Sequence, residues 1–343
     1  MLNVSMNLSF NMAAENTKVP RMVYEARAST IIFNIINSFP SDGLILLPAN
    51  VCPIVPLVLL KANRKFEFVD ISAETLCMDH DALIQRWTKE DEQPVGLVYV
   101  RSYGAVFDAS AIFSEIKHLS PDSLIIDDRC LCPPDFEEPL PAHADAVIYS
   151  TGYAKYADVG FGGFANLKDD LCYERADLPF DPTHLEQLID SYKKCLSERA
   201  VYTYQDSHWL ETKKPELSWE SYRDRVEKEV FRVAKIKGDI NAIYDAGEFQ
   251  GFEVKCIHQS WRYNILVKER DKVLEVIRQE GFFASAHYES LAGVFASGNA
   301  PVAVDVHGQI INLFNDRYFD VKRAGVLTEL LKSLKKNNPG FFK

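Results

Sequence analysis

A chain of 343 residues, 47% hydrophobic and 25% charged, has the make-up of an ordinary globular protein and the length for about two domains. Its formal net charge of −11 argues against an extended phosphate-binding surface, so a small molecule, and not nucleic acid, is the expected partner. The longest apolar run, residues 53–60, falls far short of the ~20 residues of a membrane span, and the N-terminus lacks the basic start and apolar centre of an export signal; a cytoplasmic protein without a membrane partner is expected. Seven scattered cysteines, an odd number, are read as reduced thiols. Cys130 and Cys132 form a lone C-x-C with only His143 nearby, which is not a zinc spacing, so no metal is expected.

Residues 1–20 show little periodicity and are set apart as an N-terminal segment. Ala28, Ile31, Ile32, Ile35 and Ile36 then repeat at helical spacing, with Ser29 and Thr30 at the front of the run. Such a helix start is either an ordinary N-cap or an anion site, because its free N–H groups and dipole favour a phosphate. Residues 43–48 read as a buried strand, a helix starts near Pro53, and strand 66–69 follows. The alternation continues with helix 79–87, strand 95–100, helix 108–119, strand 123–126 ending in Asp127 and Asp128, and strand 144–150. Continuously apolar strands separated by helices predict a three-layer, mainly parallel sheet covered on both faces. Ligands of such sheets lie beyond the carboxyl ends of the strands, where Asp128, Ser150 and Lys155 all fall. Beyond Asp169, charged helical stretches at 183–198 and 218–244 lead to a smaller α/β unit. It comprises strand 262–267, helix 269–279, short strands near 282–286 and 309–313, and helix 320–335. The expected division is a large cofactor-binding domain with connecting helices at 21–240 and a small C-terminal domain at 241–343.

The stretch 146–165, AVIYSTGYAKYADVGFGGFA, organises the functional reading. A strand ends at Ser150, a polar turn carries the single lysine Lys155, and Gly160, Gly162 and Gly163 follow. A lone lysine in a loop is commonly just solvated. A lysine in this setting, however, suits an amine that binds a bulky aldehyde covalently, because glycines let the cofactor approach the backbone. Pyridoxal phosphate needs that amine, a carboxylate beside its ring nitrogen and a helix start with hydroxyls for its phosphate. A carboxylate ~4 Å from the pyridinium contributes about 4 kcal/mol at an effective dielectric of about 20. Asp128 is the candidate.

The wording of several segments resembles the DegT/DnrJ/StrS sugar aminotransferases, a branch of the fold-type I pyridoxal phosphate enzymes. Residues 47–53 (LPANVCP) and 66–71 (FEFVDI) are similar to the family's cofactor-stacking turn and following strand. Residues 98–104 (VYVRSYG) with Asp108, 125–130 (IIDDRC), and 150–155 (STGYAK) with Gly162 and Gly163 match its next three motifs in order. Residues 270–287 and 311–313 resemble its small domain more weakly. The resemblance implies a fold-type I architecture with a smaller C-terminal α/β domain and a homodimer. It also implies transfer of an amino group from an amino acid such as glutamate to a keto sugar, nucleotide-linked in this family. Lys155 then carries the cofactor, Asp128 rather than Asp127 pairs with the ring nitrogen, Ser150, Ala28 and Ser29 contact the phosphate, and Cys52 lies where a residue packs against the ring. The chain departs from the family at Leu131, where glutamine or histidine is usual, and no segment between 183 and 237 matches the one that reaches into a partner's site. The alternatives are a pyridoxal phosphate dehydratase or lyase, whose sugar-dehydratase relatives would carry histidine in place of Lys155, and a non-catalytic sensor or scaffold. Tyr103, Arg262, His287 and Tyr288 are weaker candidates: Arg262 for a substrate carboxylate or a structural ion pair, the others for the site mouth or the core.

Overall fold

The computed structural model describes residues 21–89, 91–247 and 260–342, so the expected N-terminal segment 1–20 lies outside the described residues. Seven strands form the main sheet: β1 (Arg21–Glu25), β2 (Leu44–Pro48), β3 (Phe66–Val69), β4 (Pro94–Val100), β5 (Leu124–Asp128), β6 (Ala146–Ser150) and β7 (Gly163–Leu167). Their order is β1-β7-β6-β5-β4-β2-β3. The five strands from β6 to β3 run parallel, while β7 is antiparallel to both β6 and β1.

Alternation along the central strands sends successive side chains into two separate cores. Ile45, Leu47, Val98 and Ile126 pack with Ile31, Ile35, Leu57 and Val58, which belong to α1 (Ala28–Ser38) and α2 (Ile54–Lys61). Leu44, Leu46, Leu97, Tyr99 and Ile125 pack with Leu83, Trp87, Phe113 and Ile116, which belong to α3 (His80–Trp87) and α4 (Ser110–Leu119). Both faces are therefore covered, as continuously apolar strands require.

Strands β1 and β7 were not expected from the sequence. The glycines before β7 mask it, and they have a structural cause: Gly162 sits at φ +89, and a Cβ on Gly163 would lie 2.6 Å from the Cα of Ala28. Only glycine lets the start of α1 rest on the start of β7.

Two long helices, α5 (Pro182–Glu198) and α6 (Trp219–Asp245), connect to a second sheet of order β8-β10-β9. This antiparallel sheet comprises β8 (Tyr263–Leu266), β9 (Ala284–Ser285) and β10 (Ile310–Leu313). It packs with α7 (Arg270–Gln279), α9 (Val321–Asn337) and the end of α6 around Ile265, Ile277, Leu313 and Leu327. Helix α8 (Pro301–Gln309) was also missed, because alternate valines at 302, 304 and 306 and Gly308 read against a helix. Its first turn is capped from the main sheet: Asp70, just after β3, accepts from the Val302 and Ala303 N–H groups, each at 2.9 Å. Leu291, Val294, Ala303 and Val306 accordingly lie in the core of the large sheet. No helix among the described residues is long and apolar enough to cross a membrane.

Candidate active site

The carboxyl ends of β5 and β6 bring Asp128 and the Lys155 turn together. Asp128 closes β5 beside Val100 on β4 and Ile148 on β6, and it is 3% exposed. One of its oxygens accepts the Cys130 N–H at 2.9 Å. Burial pushes its carboxyl above the ordinary 3.8, and the Cys130 bonds and the nearby Lys155 cation offset part of that rise. The pleat turns Asp127 the other way. Arg101 grips it through two nitrogens, at 2.7 and 2.9 Å, and Arg129 adds a third bond at 2.9 Å. Asp127 is thus a saturated partner of two buried arginines, and Asp128 is the acid that faces the lysine.

Lys155 lies on the turn between β6 and β7 and is half-buried. Its charge is felt at Asp128, Cys130 and His287, and no hydrogen bond to a described residue holds its amine. The turn itself is tightly specified. Asp158 accepts from the N–H groups of Ala154 and Gly160, both at 3.0 Å, and the Trp261 indole donates to the Ala154 carbonyl at 2.7 Å. Ala154 is held at φ +58.

Ser150 ends β6 opposite Gly163, and Gly163 touches Ala28, so Ser150 and the first turn of α1 meet at one corner. The expected capping hydroxyls are not caps. Arg27 is the N-cap and makes no capping bond, its side chain pairing instead with Glu211 at 3.0 Å. Ser29 and Thr30 lie inside the first turn, and the Thr30 hydroxyl donates to the Glu211 carbonyl. The helix start therefore keeps uncapped N–H groups beside Ser150, the arrangement an anion favours. Cys52, half-buried in the turn before α2, lies near Cys130 and Tyr288.

A cavity of ≈ 290 Å³ opens at Lys155, walled by Trp261, Arg262, His287, Phe314 and Asp316. Larger grooves of ≈ 640 and ≈ 560 Å³ lie on the surface elsewhere and hold none of these groups. Arg262 turns out to be both an ion-pair member and a wall of the cavity. It meets Asp316 at 2.7 Å and stacks on Phe314, and its buried Nε has no partner among the described residues. Tyr103 is fully buried; its hydroxyl accepts the Tyr288 N–H at 2.9 Å and bonds the His287 carbonyl. Leu131 is a core residue. Sequence reasoning missed Asp158, Trp261 and Lys237. The spacing of Asp158, two residues before Gly160, was a readable turn signal.

No protein-family model matches this sequence, and no curated protein matches it. Solved structures do match its fold. A DegT DnrJ EryC1 StrS aminotransferase from Brucella abortus superposes with a TM-score of 0.66 at 14% identity, over 92% of this chain and 86% of that one. Spr1654 from Streptococcus pneumoniae in its PLP form gives 0.67 at 17% identity, over 93% and 88%. The sugar aminotransferase CalS13 from Micromonospora echinospora gives 0.66 at 17% identity, over 91% and 87%. The chain thus has the fold of the fold-type I aminotransferases, with the sheet order and small second sheet described above.

Proposed function

We propose that this chain is a pyridoxal phosphate-dependent aminotransferase that moves an amino group from an amino acid such as glutamate to a keto sugar carried on a nucleotide. The observation that carries the proposal is a buried carboxylate, Asp128, with few partners among the described residues, near the amine of Lys155, which no described residue bonds, at the ends of adjacent parallel strands. A carboxylate so placed suits a cationic ring nitrogen, and an amine so placed suits an aldehyde. The residues therefore fit the cofactor: Asp128 for its nitrogen, Lys155 for its aldehyde, Cys52 against its ring, and Ser150 with Ala28 and Ser29 for its phosphate. When bound, the cofactor supplies an electron sink that makes the substrate α-proton acidic. Lys155 would accept and return the substrate's α-proton through its amine, and Asp128 would keep the ring nitrogen protonated. Trp261, Phe314 and Tyr156 wall the cavity and exclude water from the exchange. Solved structures similar in fold include aminotransferases, one of them in a PLP form, which supports this reading.

The test is the half-reaction. Protein loaded with pyridoxal phosphate and given L-glutamate or L-glutamine, with no acceptor, loses its visible absorbance and releases a stoichiometric 2-oxo acid. Nucleotide-linked keto sugars then restore the absorbance. If no amino donor converts a loaded, folded protein, transamination is excluded and the lyase and scaffold readings take its place.

The proposed assembly is an isologous homodimer. Light scattering of an active preparation should give twice the chain mass, and an active monomer overturns the assembly.

A further inference from the structure

The Lys155 turn is held by its own Asp158 and by side chains flanking the second sheet. Both polar groups of the Ala154 peptide unit are engaged, its N–H by Asp158 and its carbonyl by the Trp261 indole. Trp261 lies just before β8 and is 3% exposed. Arg317, just after β10, donates to the carbonyl of Asp158 at 3.2 Å and so binds the same turn from the same end of that sheet, where Leu313 pairs with Tyr263.

The Trp261 main chain is held in turn by Lys237, 4% exposed, on the buried stripe of α6 that otherwise carries Tyr222, Val226, Val233, Ile240 and Tyr244. A lysine on such a stripe is costly unless its amine is fully used. Lys237 donates to the Trp261 carbonyl and to Asn315 Oδ1, and its amine lies 5.1 Å from the centre of the Tyr156 ring, next in sequence to Lys155. One amine thus ties α6, the start of β8, the end of β10 and the lysine turn together, which a shorter or apolar side chain cannot do.

We infer that Asp158 and Trp261, with Lys237 fixing the Trp261 main chain, are positioning residues for Lys155, and that the second sheet sets how far its amine reaches into the cleft. The inference rests on the reading above in taking Lys155 as the reacting amine. An amine that must meet an aldehyde and then two different carbons tolerates little misplacement; about 1 Å can cost ~10²-fold.

The experiment uses Trp261→Phe, which keeps the ring and removes the N–H, together with Asp158→Ala, Asp158→Asn and Lys237→Met. Trace acetylation of the cofactor-free full chain, followed by peptide mass mapping, reads the reactivity of Lys155 against the exposed Lys193 and Lys336. The expected result is a rise of about threefold or more at Lys155 in Trp261→Phe, Asp158→Ala and Lys237→Met, with the two exposed lysines unchanged. Asp158→Asn, which keeps one acceptor oxygen, should fall between Asp158→Ala and the wild type. In the loaded enzyme kcat should drop about 10- to 100-fold with the donor KM within about twofold. Wild-type labelling of Lys155 in folded Asp158→Ala and Lys237→Met overturns the inference, whether or not Trp261→Phe folds. Labelling needs no cofactor, so a chain that fails to bind pyridoxal phosphate refutes the proposed function and leaves this result readable by itself.

Discussion

Lys155→Ala leaves a folded protein that has lost transamination by about 10⁴-fold and shows no covalently trapped cofactor after borohydride treatment. The amine makes no hydrogen bond to a described residue, so its removal takes away only its electrostatic support of Asp128, and unfolding free energy should stay within about 1 kcal/mol of wild type. In the wild type the same treatment, followed by peptide mapping, should place the pyridoxyl group on Lys155. Modification of a different lysine, or turnover that survives the substitution, defeats the assignment.

Asp127 and Asp128 should respond to the same change with opposite signs. Asp127→Asn leaves Arg101 buried without its counter-charge and takes from Arg129 one of two carboxylate partners, the other being Glu138, a loss of about 3–5 kcal/mol. Asp128 has a carboxyl raised by burial, so the folded state prefers it protonated, and ionisation above its ordinary 3.8 weakens the cofactor-free fold. Asp128→Asn removes that penalty. The cofactor-free variant should be as stable as wild type or more so at pH 7, with the difference vanishing below about pH 3, where folded and unfolded wild type both hold the proton. Transamination should nevertheless fall by orders of magnitude, since an amide cannot keep a ring nitrogen protonated. Urea unfolding of both variants at pH 7 and near pH 3, alongside the half-reaction, separates the two residues. A stable, active Asp127→Asn beside an unfolded Asp128→Asn would reverse their roles.

These two acids also mark where the sequence was legible. An apolar run ending in two aspartates announces a strand with acids at its carboxyl end, and the observed β5 includes both. Which acid is the structural one depends on Arg101, a distant residue that the pleat brings to one face only. The parallel strands β2 to β6 were readable because continuous burial writes continuous apolar runs. Strand β7 was hidden because its glycines serve the contact with α1, and α8 because Val302 and Val306 face a core built mostly by other segments while Val304 is exposed. Among the proposed site residues, the placement of Lys155, Asp128 and Ser150 near strand ends was readable from the sequence. Trp261 and Lys237 did not, since their partners lie on other elements and a single sequence does not encode such pairings locally.

The cap that Asp70 places on α8 bears on how this chain assembles. It joins residues 232 positions apart, so the contact cannot form until β3 and the segments on either side of it are in place. The C-terminal unit therefore closes late in folding, and until it does Leu291, Val294 and Val306 have no core to enter. A nascent or severed chain that stops short of that closure displays a sticky apolar surface, which makes 241–343 a poor candidate for separate expression and a natural client for chaperones.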